Sequence, residues 1–431
     1  MNNNTKIVTP VKKPLKGNFK VPSDKSISHR AAMFASLVKE PVLISNFSLG
    51  ADCLSTLSVL EKLGVEIEFQ SKNSLILSNK EGFKEPKNIL DAGNSGTTIR
   101  LMSGILAGQD FCSVLTGDES LRKRPMARVI NPLKQMGAII KAEDNDTKAP
   151  VSIKGTKLLG INYNSPVASA QIKSCILLAG LHAEGITTVN EPVKSRDHTE
   201  RMLEYLNANI REEGTSISIG RSQLVSKPVT IPGDISSAAF FLVAGAIVPD
   251  SEIIIQDVGL NTTRTGIIDV LQRMGAEIQI LNQRIDCNEE IGDIKVNYSN
   301  LKAITIDSEI VPRIIDEIPV IAVAATQAEG TTIIKGAEEL RHKESDRIKA
   351  VYTELKKLGA EIEEQPDGLI IHGKTKLKGG CILETYHDHR IAMSAYIAGL
   401  IADSPIEINE FHWVNISFPE FTSLFEKLIK N

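Results

Sequence analysis

Six segments of the chain share one pattern of apolar and polar positions. VLEKLGVEIE (59–68), PLKQMGAIIK (132–141), MLEYLNANIR (202–211), VLQRMGAEIQ (270–279) and ELKKLGAEIE (354–363) each place apolar residues three or four apart, then Gly or Asn, then strand-like alternation. A truncated sixth copy, LFEKLIKN (424–431), ends the sequence. The spacing predicts an amphipathic helix, and the Gly or Asn predicts the left-handed cap that turns the chain out of it. Successive copies lie about 70 residues apart, with a longer gap from Gly275 to Gly359.

A second pattern recurs with the same beat: SISHRAAMFASL (26–37), SGTTIRLMSGILAG (95–108), SAQIKSCILLAGL (169–181), DISSAAFFLVAGAI (234–247), DEIPVIAVAATQA (316–328) and DHRIAMSAYIAGL (388–400). Each opens on a polar capping residue and continues with Ala, Gly and Ser among large aliphatics. A helix apolar nearly all round is a buried helix, and its small residues let neighbours approach closely. Strand-like runs such as VSIKG (151–155), VTI (229–231) and SEIIIQDV (251–258) link these helices. The unit is therefore a buried helix, strands and an amphipathic helix, written six times, and the fold class is α/β. The connection Ser216–Gly233 separates copy three from copy four, which predicts two pseudo-symmetric domains of three copies each. The first strand, Lys6–Thr9, precedes copy one and is a candidate partner for the C-terminal half. A solenoid would favour more numerous and shorter repeats.

Bulk composition narrows the function classes. A chain of 431 residues has room for two or three domains with proper cores. Its 53 acidic residues outnumber 49 basic ones, which argues against a general nucleic-acid or membrane-surface binder. Five scattered cysteines (Cys53, Cys112, Cys175, Cys287, Cys381) form no CxxC pair, so reduced thiols in a cytoplasmic protein are expected. The opening MNNNTKIVTPVKKPLKG lacks the apolar region of a secretory signal, and no apolar run is long enough for a membrane span.

Basic residues gather where the buried helices begin: Lys25 and Arg30, Arg100, Lys173 and Arg390. Two further knots are LRKRPMAR (121–128) and LRHKESDR (340–347). Helix N-termini aim unpaired N–H groups and a positive dipole end outward, so several converging ends would make an anion site. Pro125 after Arg124 does not suit a plain exposed helix, and Lys343, Glu344, Asp346 and Arg347 crowd both charges into five residues. The pattern points to a small polyanion bearing more than one phosphate or carboxylate. Solvated faces, N-caps and surface pairs are the plain alternatives for the same residues, Asp316 and Glu344 included. DAGNSGTTIR (91–100) lacks both the GKS/GKT ending of a P-loop and GxGxxG spacing, so it reads either as an anion cradle or as a capped helix start. His387-Asp388-His389 has HxH spacing without a third ligand cluster, and no HExxH occurs, so no metal is expected.

Taken together, these residues carry a resemblance. PSDKSISHRA (22–31), GNSGTTIRL (93–101), GDESLRKRPM (117–126), SAQIKS (169–174), SRDHTERM (195–202), PGDISSAA (232–239), NTTRTG (261–266), HKESDR (342–347) and DHRIAM (388–393) occur in this order. The chain resembles the 5-enolpyruvylshikimate-3-phosphate synthase family (3-phosphoshikimate 1-carboxyvinyltransferases) over essentially its full length. RDHTE, SAQIK and NTTR look more like the bacterial class II branch than the enteric one.

The resemblance implies a two-domain inside-out α/β barrel, the enolpyruvyl transferase fold, with six βαβαββ-type repeats, three per domain. Residues 22–231 would form one domain, and residues 1–21 with 232–431 the other, joined by a two-strand hinge that closes on substrate. It implies transfer of the enolpyruvyl group of phosphoenolpyruvate to the 5-hydroxyl of shikimate 3-phosphate, with release of phosphate. The route is addition and elimination through a tetrahedral intermediate, with no metal or organic cofactor, in a cytoplasmic monomer that binds neither nucleic acid nor membrane. Lys25, Ser26, Arg30, Ser169, Gln171, Ser195, Asp316 and Lys343 match the shikimate-phosphate ligands. Lys25, Gly96, Arg124, Gln171, Arg347 and Arg390 match the phosphoenolpyruvate ligands. Asp316, Glu344 and Lys25 match the catalytic set, with Asp316 on the 5-hydroxyl and Glu344 as proton donor to the methylene carbon. Gly96 matches the place where the inhibitor glyphosate sits, and a residue without a side chain there implies sensitivity.

The chain departs from some relatives at Ala170, His198 and Ile416, which stand where those have Ser, Tyr and Lys. The rival UDP-N-acetylglucosamine enolpyruvyl transferases usually carry a catalytic Cys in the loop matching 117–126, and this loop has none. RNA 3′-phosphate cyclase uses a related repeat, but net negative charge and the full motif set weigh against it. The intact Lys25, Arg124, Asp316 and Glu344 weigh against a non-catalytic scaffold.

Overall fold

The computed structural model describes residues 4–430. Twelve helices carry the two recurring patterns: α1 (Lys25–Ala35), α2 (Ala51–Lys62), α3 (Gly96–Ala107), α4 (Ala127–Gln135), α5 (Ala170–Gly180), α6 (His198–Tyr205), α7 (Ile235–Ile247), α8 (Gly266–Arg273), α9 (Ile318–Thr326), α10 (Arg347–Lys357), α11 (His389–Leu400) and α12 (Phe421–Lys430). Odd-numbered helices are the buried kind; every residue of α7 and of α11 is buried. Even-numbered helices bury one stripe, as α8 does with Ile267, Ile268, Val270 and Leu271.

The expected helix stops are all in the left-handed region. Gly64, Gly137, Asn207, Gly275 and Gly359 have φ of 93°, 94°, 64°, 93° and 80°. Gly takes this conformation without a Cβ clash, and Asn is among the side chains that best tolerate it. The small residues inside the buried helices also have a use. A Cβ on Gly104 of α3 would lie 2.2 Å from the carbonyl oxygen of Cys175 in α5, so these two helices meet backbone to backbone.

The second repeat shows the unit complete. Strands Leu90–Asp91, Cys112–Thr116, Ile139–Ala142 and Lys148–Lys154 form a sheet in the order first, second, fourth, third. The first pair is parallel, with α3 as crossover, and the remaining pairs are antiparallel. This is βαβαββ, and the other repeats follow it. Repeats one and four take their first strands from a distance: Val229–Thr230 runs parallel to Val42–Ser45, and Lys16–Lys20 parallel to Glu252–Gly259. Lys6–Val8 pairs antiparallel with Ile406–Ile408, so the N-terminal strand completes the truncated sixth copy. Ser216–Gly233 is less of a plain connection than its sequence suggests, because it holds the strands Ser216–Gly220 and Val229–Thr230. The sheets stay separate, and among the described residues none closes on itself as a hydrogen-bonded barrel.

The chain divides into two compact units. The N-terminal unit is Ser23–Ile231 together with Ile285–Glu289; the C-terminal unit is the chain up to Pro22, Pro232–Arg284 and the chain from Glu290 onward. Each has its own apolar core, built on α1, α3 and α5 in the first and on α7, α9 and α11 in the second. In the second core, Phe241 stacks on Phe425 at 4.2 Å between ring centroids, which ties α12 to α7. No helix of the described residues is long and apolar enough to cross a membrane.

Candidate functional site

The polar residue at each buried helix start decides what its side chain can do. Asp24, Ser95, Asp234 and Asp388 cap α1, α3, α7 and α11 by accepting from backbone N–H groups. Ser169 and Glu317 occupy the same position on α5 and α9 but make no side-chain capping bond. Ser169 Oγ has no partner among the described residues, and Glu317 accepts from Ser236 Oγ.

In the N-terminal unit, the Gly93–Gly96 turn is built for close approach. Gly93 has a φ of 58°, its N–H donates to Asp91 at 2.8 Å, and Ser95 Oγ accepts from Thr98 N at 3.1 Å. A Cβ on Gly96 would lie 3.1 Å from Arg100 Nη1 and 3.3 Å from Arg124 Nη1, so two guanidinium groups flank the first residue of α3. Arg124 lies between two helices, not inside one, and its Nη2 donates to Asn94 Oδ1 at 3.0 Å. Asn94 in turn donates to Asp118 at 2.7 Å. Arg100 donates to Gln171 Oε1 and to the Pro125 carbonyl, and Gln171 Nε2 donates to Thr97 at 3.2 Å. Gly96, Arg124 and Gln171 are therefore one cluster. Its further members Arg100, Asn94 and Thr97 were absent from the expected ligands, although Arg100 stood among the basic helix-start residues.

Lys25 opens α1 and pairs with Asp52 at 3.0 Å, while the Ser26 hydroxyl beside it has no partner among the described residues. Arg30, one turn on, is 3% exposed and donates to Thr199 Oγ1, the Ser26 carbonyl and Ser174 Oγ at 2.7–3.0 Å. It braces α1 against α5 and α6. Ser195 is buried and donates through Oγ to Glu191 at 2.5 Å. Lys173, read from sequence as a cation of the anion site, is sealed in the interior, 2.7 Å from both Glu191 and Glu200. Burial pushes the Glu200 carboxyl up, and Lys173 opposes that shift. His198 points its Nδ1 to Glu289 at 2.7 Å, and Ala170 is the first residue of α5.

The C-terminal unit gathers the opposite mixture. Arg347 begins α10 at 1% exposure and carries three carboxylates: Asp388 on Nε at 2.8 Å, Glu344 on Nη2 at 2.7 Å and Asp316 on Nη1 at 3.3 Å. Burial alone would raise the Asp388 carboxyl, but the Arg347 guanidinium holds it below the usual range. Lys343 is half-buried and forms no hydrogen bond or ion pair with a described residue. Lost hydration pushes its ammonium below the ordinary lysine range; Asp316 opposes the shift, and Arg347 adds to it. Arg390 donates Nη1 to the Asp316 carbonyl at 2.9 Å, and its Nε and Nη2 have no partner among the described residues. His387 faces Glu410 at 3.1 Å, and Ile416 lies in a short 3-10 turn.

Chemically, the first set offers a glycine turn, two forked cations and two uncommitted hydroxyls, which is equipment for phosphate and carboxylate oxygens. The second offers two half-buried carboxylates on one guanidinium, with an uncommitted ammonium and a half-free guanidinium beside them. That is equipment for moving protons next to an anion.

The chain is similar to known proteins over nearly its whole length. The model of the family described as EPSP synthase (3-phosphoshikimate 1-carboxyvinyltransferase) matches residues 10–425. The 3-phosphoshikimate 1-carboxyvinyltransferase of Bacillus subtilis (strain 168) is 53% identical over 419 residues, covering 96% of this chain and 98% of that protein. Its namesake from Petrotoga mobilis is 52% identical over 426 residues, covering 98% of each. Among solved structures, EPSP synthase from Acinetobacter baumannii superimposes with a TM-score of 0.89 at 44% identity, covering 98% of both chains. The enolpyruvyl transferase NikO from Streptomyces tendae shares the fold at 17% identity, with a TM-score of 0.79 over 99% of this chain and 97% of that one. Matched along nearly its whole length, the chain belongs to the EPSP synthase family.

Proposed function

We propose that the protein transfers the 1-carboxyvinyl group of phosphoenolpyruvate to the 5-hydroxyl of shikimate 3-phosphate and releases phosphate. The observation that carries the reading is the attachment of Asp316 and Glu344 to one buried guanidinium, beside uncommitted groups of Lys343 and Arg390. Addition needs a base at the attacking hydroxyl and an acid at the methylene carbon. Asp316 takes the hydroxyl proton as its oxygen bonds to C2 of phosphoenolpyruvate, and Glu344 delivers a proton to C3. In the second step a proton leaves C3, the C2–O bond to phosphate breaks and the enol double bond re-forms. Lys25 completes the catalytic set as the cation common to both substrates.

Lys25, Ser26, Arg30, Ser169, Gln171, Ser195 and Lys343, with Asp316, bind shikimate 3-phosphate. Lys25, Gly96, Arg124, Gln171, Arg347 and Arg390 bind phosphoenolpyruvate. The uncommitted hydroxyls of Ser26 and Ser169 support the first assignment, and the guanidinium groups against Gly96 support the second. Forked cations held in place before the reaction cost no reorganisation as charge shifts between carboxylate, enol and phosphate oxygens. The enzyme works as a single chain in the cytoplasm, with both residue sets drawn from one polypeptide. Phosphate release from phosphoenolpyruvate in the presence of shikimate 3-phosphate tests the reading, with UDP-N-acetylglucosamine as the control acceptor. Folded protein that releases phosphate only with the control would sink it.

A further inference from the structure

Glu317 is the N-cap of α9, yet its side chain makes no capping bond. It turns into a buried polar chain that the proposed reaction does not use. Ser236 Oγ donates to Glu317 Oε1, and Arg264 Nη2 donates to Ser236 Oγ at 2.8 Å. Arg264 Nη2 also lies 3.3 Å from Asp234 Oδ1, the oxygen that caps α7 through Ser236 N at 2.8 Å. Glu317 is fully buried and Arg264 is 2% exposed. At the other end of the chain, Glu317 Oε1 lies 3.6 Å from Arg390 Nη1, the nitrogen that donates to the Asp316 carbonyl. A buried carboxylate costs too much without cations near it, and here Arg390 lies beside it while Arg264 connects to it through Ser236. A guanidinium is planar and stiff, so tethering one nitrogen sets the direction of the others.

We propose that Glu317 is the positioning residue of Arg390: it fixes the guanidinium by Nη1 so that Nε and Nη2 are presented to the phosphoenolpyruvate anion, with Ser236 and Arg264 holding Glu317 from behind. The inference rests on the reading of Arg390 as a phosphoenolpyruvate ligand. It assigns work to PGDISSAA and NTTRTG, two motifs whose residues the reaction leaves without a role.

The test separates positioning from plain support, using full-length protein, steady-state kinetics and thermal unfolding. Glu317→Gln keeps the shape and removes the charge. It should raise KM for phosphoenolpyruvate roughly tenfold, leave KM for shikimate 3-phosphate within about twofold, and lower Tm. Adding Arg264→Met removes the support behind residue 317 as well, and KM for phosphoenolpyruvate should stay high. An unmoved KM in Glu317→Gln, or a KM that recovers in the double variant, would overturn the proposal. If the single variant does not fold, Ser236→Ala carries the test. Ser236→Ala cuts the link while both charges stay in place, and should raise the same KM with a modest fall in Tm; no rise in KM overturns the proposal. Parent protein without turnover on shikimate 3-phosphate would defeat both this inference and the functional reading. Parental turnover with an unmoved KM defeats this inference alone.

Discussion

Arg347 Nη2 lies 2.7 Å from Glu344 Oε2, three residues earlier in the chain, and the other fork nitrogen of the same guanidinium reaches Asp316 at 3.3 Å. The two carboxylates assigned to opposite ends of the proton transfer thus share one cation, which is itself anchored from behind by Asp388. Any change in that guanidinium is felt by both.

Glu344→Gln keeps the hydrogen-bonding shape but removes the proton that C3 needs. Loss of a positioned general acid costs typically 10²–10⁴-fold, so kcat should fall by roughly that factor. Affinity for shikimate 3-phosphate, followed by calorimetry, should change little. Retained turnover would take Glu344 out of the proton transfer.

Arg347→Met should cost stability as well as activity. It strands Asp388, which is fully buried, beside two more carboxylates. Breaking a buried pair in this way costs about 3–5 kcal/mol, which denaturant unfolding would resolve as a shifted midpoint. Near-parental stability would mean that the carboxylates find other cations.

Lys343 sets a pH prediction. Its folded-state pKa lies below the ordinary lysine range, so it loses its charge earlier on the basic side than an exposed lysine. If the ammonium binds substrate phosphate, the basic limb of kcat/KM falls below the usual lysine range, and Lys343→Arg moves that limb upward. The linkage sign is opposite for stability. The unfolded chain holds the proton more tightly, so the Lys343 contribution improves as pH rises from the folded to the unfolded pKa. A basic limb that does not move in Lys343→Arg would assign it to another group.

Much of the fold is legible in the sequence because its signals are local. The glycines at 64, 137, 275 and 359 and Asn207 announce helix ends through spacing alone, and the left-handed φ at each follows. Helices apolar all round, such as α7, announce their burial in the same way. The candidate site is legible only in part, because burial of charge depends on partners far along the chain. Lys173 and Arg390 look alike as cations at helix starts. Glu191 and Glu200, from outside α5, neutralise Lys173, while Arg390 keeps half its fork clear. Nothing local to Arg347 announces that Asp388, 41 positions away, anchors it from behind. The first strand is legible as a partner for the C-terminal half, and the fold adds its antiparallel register on Ile406–Ile408.

Gly96→Ala probes the glycine turn. The new methyl would press on Arg100 Nη1 at 3.1 Å and Arg124 Nη1 at 3.3 Å, and both are the far ends of flexible side chains. The helix therefore survives while the guanidinium groups shift by a few tenths of an ångström. A displacement of that kind is worth about 1–2 kcal/mol of ligand affinity, roughly a factor of 5–30. KM for phosphoenolpyruvate should rise by about that factor, glyphosate inhibition should weaken, and KM for shikimate 3-phosphate should hold. Equal rises in both KM values would place the cost in the fold of the N-terminal unit instead.

His29 gives a prediction for acid stability. It is 1% exposed in α1, and its Nδ1 lies 2.6 Å from Thr56 Oγ1, which meets Thr98 Oγ1 at 2.7 Å. Thr98 also donates to Ser95 Oγ, so the chain ends at the cap of the glycine turn. Burial is the main cause that lowers the His29 pKa to about 3, with Asp52 opposing and Lys25 and Arg30 adding to the shift. The unfolded chain binds the proton more readily, so stability is intact above the ordinary histidine value and is lost as pH falls toward 3. By pH 5 the deficit reaches about 2 kcal/mol. His29→Asn keeps a polar group near Thr56 without a titrating ring, so its stability should fall less steeply between neutrality and pH 5. Parallel pH–stability curves for parent and variant would show that another group controls the acid limb.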